Sequence, residues 1–153
     1  MSANVTRYAI AGAIAFLLLV RPMIYSVAPP RDDSVYAVAT AASVPTSEPL
    51  VKELLLNTPH GLLGERRSGE HAVITVVVAR GLNGLFSVVN AWSPTNGCAL
   101  TVRPDRLVDC RGHEWTLAGD PFASGDPPLQ SFPVTNQNGA VIVDFTHPVD
   151  VGG

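Results

Sequence analysis

Two short segments of the chain carry side chains that could bind a metal or take part in redox chemistry. Cys98 and Cys110 are the only cysteines among the 153 residues, and His113 follows the second cysteine by three positions. Thiolate and imidazole are good ligands for iron and zinc. A Cys-x-x-His pair at positions 110 and 113, together with Cys98, would supply two or three ligands. This arrangement predicts metal binding only if both thiols are free.

Other candidate sites in the sequence are weaker. His60, His71 and His147 are too scattered to form a recognisable metal signature. The glycine-containing segment 61–64 is not a phosphate loop, because no Lys-Ser/Thr pair follows it. Ser93 has no basic partner beside it in sequence that could make it a nucleophile. We therefore expect a protein that is not an enzyme.

Composition limits the class of protein. The formal net charge is -3, and charged residues make up 15% of the chain against 46% hydrophobic residues. No basic run follows Arg66-Arg67, so nucleic acid is not expected as a partner. Thirteen glycines and thirteen prolines imply many turns, which favours β structure over a helical bundle.

The N-terminus predicts a membrane anchor over residues 1–28. The stretch from Tyr8 to Ala28 is long and apolar enough to cross a bilayer, and Arg7 and Arg21 flank its main apolar run. A cleaved signal peptide is the alternative, and the short apolar core after Arg7 fits it. The cleavage end fits it less well, because a Pro-Pro pair follows Ala28 directly. The lipid bilayer is therefore an expected partner.

The remainder divides into a linker, a β domain and a tail. Residues 29–50 are rich in Pro, Ser, Thr and Ala, which indicates a linker in which a short strand near 35–38 is an option. Residues 51–146 predict a small antiparallel domain, with strands at His71–Arg80 and 85–92 forming one hairpin and strands at 129–134 and 140–145 forming another. Residues 147–153 are expected to be a loosely held tail.

Two loop sequences lie inside this domain. The first reads Ser93-Pro94-Thr95-Asn96-Gly97-Cys98, and the second reads Val108-Asp109-Cys110-Arg111-Gly112-His113, followed by Trp115 and Gly119. This frame resembles the Rieske iron–sulfur domain over residues 76–145. In that family each loop supplies one Cys and one His to a 2Fe–2S cluster. The respiratory subclass adds a disulfide between the loops. The resemblance implies an all-β, Rieske-like domain, here tethered by a single N-terminal transmembrane helix.

The resemblance also implies that the ligand positions have changed. Ser93 and Val108 stand where the family has ligand cysteines, and Thr95 and Arg111 stand where it has ligand histidines. Valine has no donor atom, and arginine is a permanent cation that does not ligate metals. Ser93, Thr95, Val108 and Arg111 are thus vestigial positions, and no cofactor or metal is expected.

The cysteines fall on the positions of the family's inter-loop bridge. The resemblance therefore implies a disulfide between Cys98 and Cys110, with two free buried thiols as the alternative. In a second register, Cys110 and His113 form a ligand pair, and the protein is an electron carrier with a non-standard 2Fe–2S cluster or another metal. That register leaves the first loop without an imidazole and places Gly112 before the histidine instead of after it.

Together these features predict a non-catalytic accessory subunit of a respiratory or photosynthetic membrane complex. Its partners would be other subunits of that complex. A structural disulfide persists outside the cytosol, so the protein is expected in the inner membrane as a single-pass protein, with its N-terminus cytoplasmic and its β domain extracytoplasmic. A stand-alone exported binding module is a further alternative.

Overall fold

The structure is a computed structural model and describes residues 35–149. This part of the chain contains ten strands and one short 3-10 turn. The strands are β1 (Val35–Thr40), β2 (Leu50–Leu56), β3 (Arg66–Ser68), β4 (His71–Arg80), β5 (Phe86–Asn90), β6 (Thr101–Val102), β7 (Leu107–Val108), β8 (Glu114–Trp115), β9 (Val134–Gln137) and β10 (Ala140–Asp144). The 3-10 turn spans Ala41–Ser43. All strand pairs are antiparallel, so the predicted all-β class is confirmed.

The strands form three small sheets. The first has the order β1-β10-β9, and the second places β4 between β2 and β3 with β5 also paired to β4. The third has the order β6-β7-β8 and is made of two-residue strands. This third sheet carries both cysteine loops, one before β6 and one between β7 and β8. It is the element that positions the candidate site.

Strand β4 is central because it is covered on both faces. Successive side chains of a strand point to opposite sides. Val76 and Val78 belong to the main core with strands β1 and β10, whereas Val77 belongs to a second core beneath the third sheet. This explains why His71–Arg80 reads as an almost continuous β-branched run instead of an alternating one. The predicted strand is observed with the same bounds.

The second core supports the two loops from below. It joins Val77 and Val89 to Leu107 and Trp115 of the third sheet and to Leu129 of the segment that follows it. The exposed fraction of each of these side chains is at most 1%. Two-residue strands have few ladder hydrogen bonds of their own, so burial of Leu107 and Trp115 holds this sheet to the rest of the domain.

The domain begins earlier than predicted. Strand β1 pairs along β10, from Val35 opposite Asp144 to Thr40 opposite Ala140. The predicted linker, residues 29–50, therefore contains a strand of the domain as well as the first residue of β2. The physical reason is burial, because Val38 and Val44 enter the main core. A stretch with this composition can be ordered once a sheet edge supplies its backbone partners.

The closing hairpin is shifted along the chain. Its first strand is β9, and the two-residue turn is formed by Asn138 and Gly139, both with positive φ. Such turns match strand twist best when their central residues adopt positive φ, which Asn and Gly tolerate. The predicted strand at 129–134 instead runs beside β5, with Ser131 bridged to Val89. Pro133 separates the two pairings.

The structure bears differently on the predictions for the two ends of the chain. Among residues 35–149, no helix is long and apolar enough to cross a membrane. The anchor predicted for residues 1–28 lies outside the described residues and stays a prediction. Part of the predicted tail is hydrogen-bonded to the β domain, since the Val149 N–H donates to the Ser131 carbonyl at 2.7 Å. Residues 150–153 lie outside the described range.

Candidate functional site

The first loop is a tight turn closed by its own backbone. The Ser93 N–H donates to the Cys98 carbonyl at 2.8 Å, and the Gly97 N–H donates to the Ser93 carbonyl at 3.1 Å. Gly97 has a φ of 59°, the left-handed conformation that glycine adopts without steric cost. The Ser93 hydroxyl oxygen also accepts from the Asn96 N–H at 3.1 Å. These bonds direct Ser93 and Asn96 toward the interior of the site.

The second loop is closed in the same way. The Asp109 N–H donates to the His113 carbonyl at 3.0 Å, and the Gly112 N–H donates to the Asp109 carbonyl at 3.2 Å. Gly112 also has a positive φ, of 88°. Asp109 Oδ1 accepts from the N–H groups of Arg111 and His113 at 2.8 and 3.0 Å. One carboxylate oxygen thus fixes the path of the entire loop.

The other oxygen of Asp109 joins the second loop to the first. Oδ2 accepts from the Ser93 hydroxyl at 3.0 Å and from Asn96 Nδ2 at 2.6 Å. The exposed fraction is 6% for Asp109 and 1% for Ser93. We call this group, made of Ser93, Asn96 and Asp109, the carboxylate bridge. The buried Asp109 carboxylate accepts four hydrogen bonds in all, two at each oxygen.

Hydrogen bonds stabilise the ionised form of the buried Asp109 side chain. Burial by itself would raise the pKa of this carboxyl group. The hydrogen bonds from Asn96, from the backbone of Arg111 and His113 and from Ser93 outweigh burial, and they lower the pKa of Asp109 to about 2. The carboxylate is therefore ionised at neutral pH and acts as an acceptor only.

A disulfide is the second link between the loops. Cys98 and Cys110 are joined, with their Cα atoms 6.4 Å apart, as the resemblance implied. The Cys110 N–H also donates to Cys98 Sγ at 3.3 Å. Cys98 is half-buried and Cys110 is exposed. The alternative of two free thiols does not describe this structure.

The four positions predicted to be vestigial have different surroundings. Ser93 is buried and belongs to the carboxylate bridge, whereas Thr95 is exposed. Val108 lies in β7, paired with Thr101 and Glu114. Arg111 is exposed, and within residues 35–149 its guanidinium forms no ion pair.

The residues present do not fit a 2Fe–2S cluster. The cluster of a Rieske centre requires two thiolates and two imidazoles. Both cysteine sulfurs are used in the disulfide, and Ser93 is engaged with Asp109. In the part of the chain that the structure describes, no group of three or more His, Cys, Asp or Glu side chains is arranged to hold a metal.

The side chain of His113 pairs with an acid. Its Nδ1 lies 2.8 Å from Asp126 Oδ2, in the segment that follows the third sheet. This hydrogen bond raises the pKa of His113 above its ordinary value. Arg106, the residue before β7, is bonded to Asp105 and Glu114.

An open hollow lies beside the second loop. Its volume is about 470 Å³, and it extends from Arg111 and Gly112 to Phe122 and Asp126. Phe122 is 58% exposed, with the Arg106 guanidinium 5.7 Å from the centre of its ring. The hollow gives a partner molecule access to the tip of the domain.

The two tryptophans make packing contacts. Trp115 is fully buried, and its indole N–H donates to the Pro127 carbonyl at 2.9 Å. That bond ties the proline-containing segment to the third sheet. Trp92 packs against Gly64, where an added side-chain carbon would lie 2.5 Å from the indole ring.

The sequence did not reveal the carboxylate bridge. Asp109 is the only acidic residue within the two loop sequences, and this was the one signal that could have found it. By proximity in sequence, Asp109 and Glu114 are the candidate ion-pair partners of Arg111. Asp109 instead accepts the backbone N–H of Arg111, and Glu114 pairs with Arg106.

Comparison with solved structures supports the fold. The chain is similar to a chain of the complex of reduced oxygenase and oxidized ferredoxin in carbazole 1,9a-dioxygenase, at 16% identity and a TM-score of 0.50, over 74% of this chain and 94% of that one. It is also similar to the plasma membrane Rieske protein PetC3 from Synechocystis PCC 6803, at 20% identity and a TM-score of 0.42, over 52% and 83% of the two chains.

Sequence comparisons add nothing to this likeness. No protein-family model matches the chain, and no curated protein matches it. At such low identities the structural likeness bears on the fold alone. The described domain therefore has a Rieske-like fold.

Proposed function

We propose that this protein is a Rieske-like domain of the respiratory type that has lost its iron–sulfur cluster and acts as a non-catalytic accessory subunit of a membrane electron-transfer complex. The observation that carries the proposal is the carboxylate bridge. Asp109, Ser93 and Asn96 hold the two loops together through a buried, charged network. In a cluster-bearing domain the metal ligands perform that linking role.

The chemistry of the loops supports the absence of iron. Replacement of thiolates and imidazoles by Ser93, Thr95, Val108 and Arg111 leaves no soft ligand at the four positions. The carboxylate of Asp109 already has four hydrogen-bond donors. A metal ion bound to either oxygen of this carboxylate would have to displace charge-assisted hydrogen bonds, which are stronger than neutral ones.

The location in the cell is inferred from two features. The apolar stretch predicted over residues 1–28 would anchor the chain in the inner membrane with its N-terminus in the cytoplasm. The disulfide between Cys98 and Cys110 favours an extracytoplasmic position for the β domain, because cytosolic thiols are kept reduced. A domain placed in this way can contact the outer face of an integral membrane complex.

Iron analysis tests the loss of the cluster. We would express the full chain in cells with active iron–sulfur assembly, purify it in detergent, and measure iron content and the electron paramagnetic resonance spectrum after reduction. The expected result is less than one iron per ten chains and no Rieske-type signal. Two irons per chain with such a signal would overturn the proposal. That outcome would support the metal-bearing carrier that uses Cys98, Cys110 and His113.

Co-purification tests the accessory role. A tagged full chain is extracted from membranes with mild detergent and separated by size in a native gel. Migration with the haem- or quinone-containing subunits of one complex is the expected result. Migration of the tagged chain by itself under conditions that keep such complexes intact would contradict the accessory role and support a stand-alone exported module.

A further inference from the structure

We propose that the Cys98–Cys110 disulfide is a reversible two-electron redox centre that exchanges with a dithiol of a partner protein. The inference rests on the proposed function in one respect, since both sulfurs are available for exchange only if neither binds iron. It assigns to the two loops a redox activity of a different kind from one-electron transfer through a cluster.

The bond is accessible from outside the domain. Cys110 is exposed and Cys98 is half-buried, so an incoming thiolate reaches the Cys110 sulfur more readily. The hollow of about 470 Å³ begins at Arg111 and Gly112, the two residues after Cys110. A partner that docks there would contact the loop that carries Cys110. Exposed disulfides are the ones that exchange most readily.

The loops are braced independently of the sulfurs. Asp109 holds its own loop through the N–H groups of Arg111 and His113, and it holds the other loop through Ser93 and Asn96. None of these bonds passes through Cys98 or Cys110. Reduction therefore leaves the loops in place, and the two thiols remain close enough to re-form the bond.

A hydrogen-bond donor is positioned for the leaving sulfur. The Cys110 N–H points to Cys98 Sγ at 3.3 Å. When the S–S bond breaks, the electron pair remains on Cys98, and this N–H would donate to the resulting thiolate. Donation to an anionic sulfur is stronger than donation to a neutral one. Attack at Cys110 is thus favoured both by access and by the leaving group.

The exchange balances without a metal. A partner thiolate attacks Cys110 Sγ and forms a mixed disulfide, and the Cys110–Cys98 bond breaks with its electron pair on Cys98. The second thiol of the partner, as its thiolate, then attacks the partner's sulfur in the mixed disulfide and releases the thiolate of Cys110. The partner dithiol is oxidised to a disulfide, and the pair in this protein is reduced. Both thiolates take up protons, so two electrons and two protons are transferred.

Native-state reduction is the direct test. The full chain in detergent is incubated with reduced thioredoxin, its reductase and NADPH, and free thiols are counted by alkylation and mass spectrometry. We expect two thiols per chain to appear without denaturant, and we expect the circular dichroism of the aromatic side chains to be retained. Reduction that requires denaturant and follows the rate of unfolding would overturn the proposal.

A matched pair of variants tests the bracing. Asn96→Ala removes one link between the loops, and Asn136→Ala changes an exposed asparagine of β9. In a glutathione redox buffer we expect Asn96→Ala to lower the equilibrium constant for disulfide formation roughly tenfold, the worth of one hydrogen bond to a charged group. Asn136→Ala should leave the constant unchanged. Equal constants for both variants and the wild type would refute the bracing argument.

The two proposals fail in different ways. The same purified protein is analysed for iron before the redox measurements. Iron in the protein would overturn the proposed function and, with it, this inference. A disulfide that resists native-state reduction in an iron-free protein would overturn the redox inference and leave the accessory role intact.

Discussion

The carboxylate of Asp109 should be the largest single polar contribution to the stability of the two loops. Asp109→Asn keeps the size of the side chain but removes its charge. The amide oxygen can still accept from the N–H groups of Arg111 and His113. The amide nitrogen then takes the place of Oδ2 and faces Asn96 Nδ2, so two donors meet where a donor and an acceptor lay 2.6 Å apart.

The expected loss can be estimated from these bonds. Hydrogen bonds to a charged group contribute roughly 1.5–3 kcal/mol each, and their sum in one network is less than additive. The bond from Asn96 is broken, and the other three become neutral because the Ser93 hydroxyl can rotate and accept from the new amide. This predicts a decrease in the free energy of unfolding of about 2–4 kcal/mol at pH 7. Asp109→Ala, which also removes the remaining three bonds, should cost more.

Part of this stabilisation should depend on pH with a definite sign. The pKa of Asp109 is lowered to about 2 in the folded protein, from 3.8 for an ordinary aspartate. The unfolded chain therefore binds a proton at higher pH than the folded chain does. The stabilisation is complete above about pH 5 and is lost as the pH falls through the folded pKa. The lost part is about 1–2 kcal/mol after allowance for screening near the surface.

Urea unfolding measured from pH 7 to pH 2 checks both numbers. Asp120→Asn is the matched control, because it makes the same charge change at an exposed position whose carboxylate forms no hydrogen bond or ion pair within residues 35–149. We expect wild type and Asp120→Asn to lose stability together toward pH 2, and Asp109→Asn to start lower and vary less. Equal stability of Asp109→Asn and wild type at pH 7 would refute the reasoning.

Two further substitutions test other contacts. Gly64→Ala should lower the free energy of unfolding by about 2–4 kcal/mol in urea titration, because the added carbon would meet the Trp92 ring at a positive φ. Gly61→Ala has a similar φ and open space, so a loss as large as that of Gly64→Ala would contradict the clash. Asp126→Asn should lower the pKa of His113 in a nuclear magnetic resonance titration, since the bond between them raises it. That bond stabilises the folded state below the unfolded pKa and fades as the pH rises through the folded value, and an unchanged pKa in Asp126→Asn would exclude Asp126 as the cause.

Most of these predictions concern the contacts that hold the two loops together. If the ligands have been lost as proposed, a network that holds the two loops together without a metal would allow the Rieske-like fold to persist. In the proposed redox role, the disulfide is the group at this site that undergoes redox chemistry. Iron content, loop stability and native-state reduction measure three separate properties of the same site.

Local sequence patterns predicted those elements whose partners are near in the chain. The run of β-branched residues at His71–Arg80 and the turn that follows it are sufficient to predict the central hairpin. The glycines at 97 and 112 and the two cysteines are sufficient to align the loops. In each case the side chains determine the local backbone, through strand propensity or through the positive φ that glycine allows.

Long-range contacts decided the remainder. Val35–Thr40 becomes a strand only because β10, about one hundred residues later, offers it a free edge. The segment 129–132 leaves the predicted hairpin because β5 and the second core receive it. The short strand considered near 35–38 is confirmed, but no pattern within a few residues identifies the partner of either segment, since the energy comes from burial between distant segments.

At the candidate site, too, some features are predicted by the sequence and others depend on tertiary contacts. From the sequence alone, the resemblance predicts that Ser93, Thr95, Val108 and Arg111 occupy the positions of the cluster ligands and that the two cysteines occupy those of an inter-loop disulfide. Only the tertiary structure brings Asp109 within hydrogen-bond distance of Ser93 and Asn96, which are 16 and 13 residues away. The composition of a loop determines which chemistry is excluded, whereas the folded contacts between loops determine what takes its place.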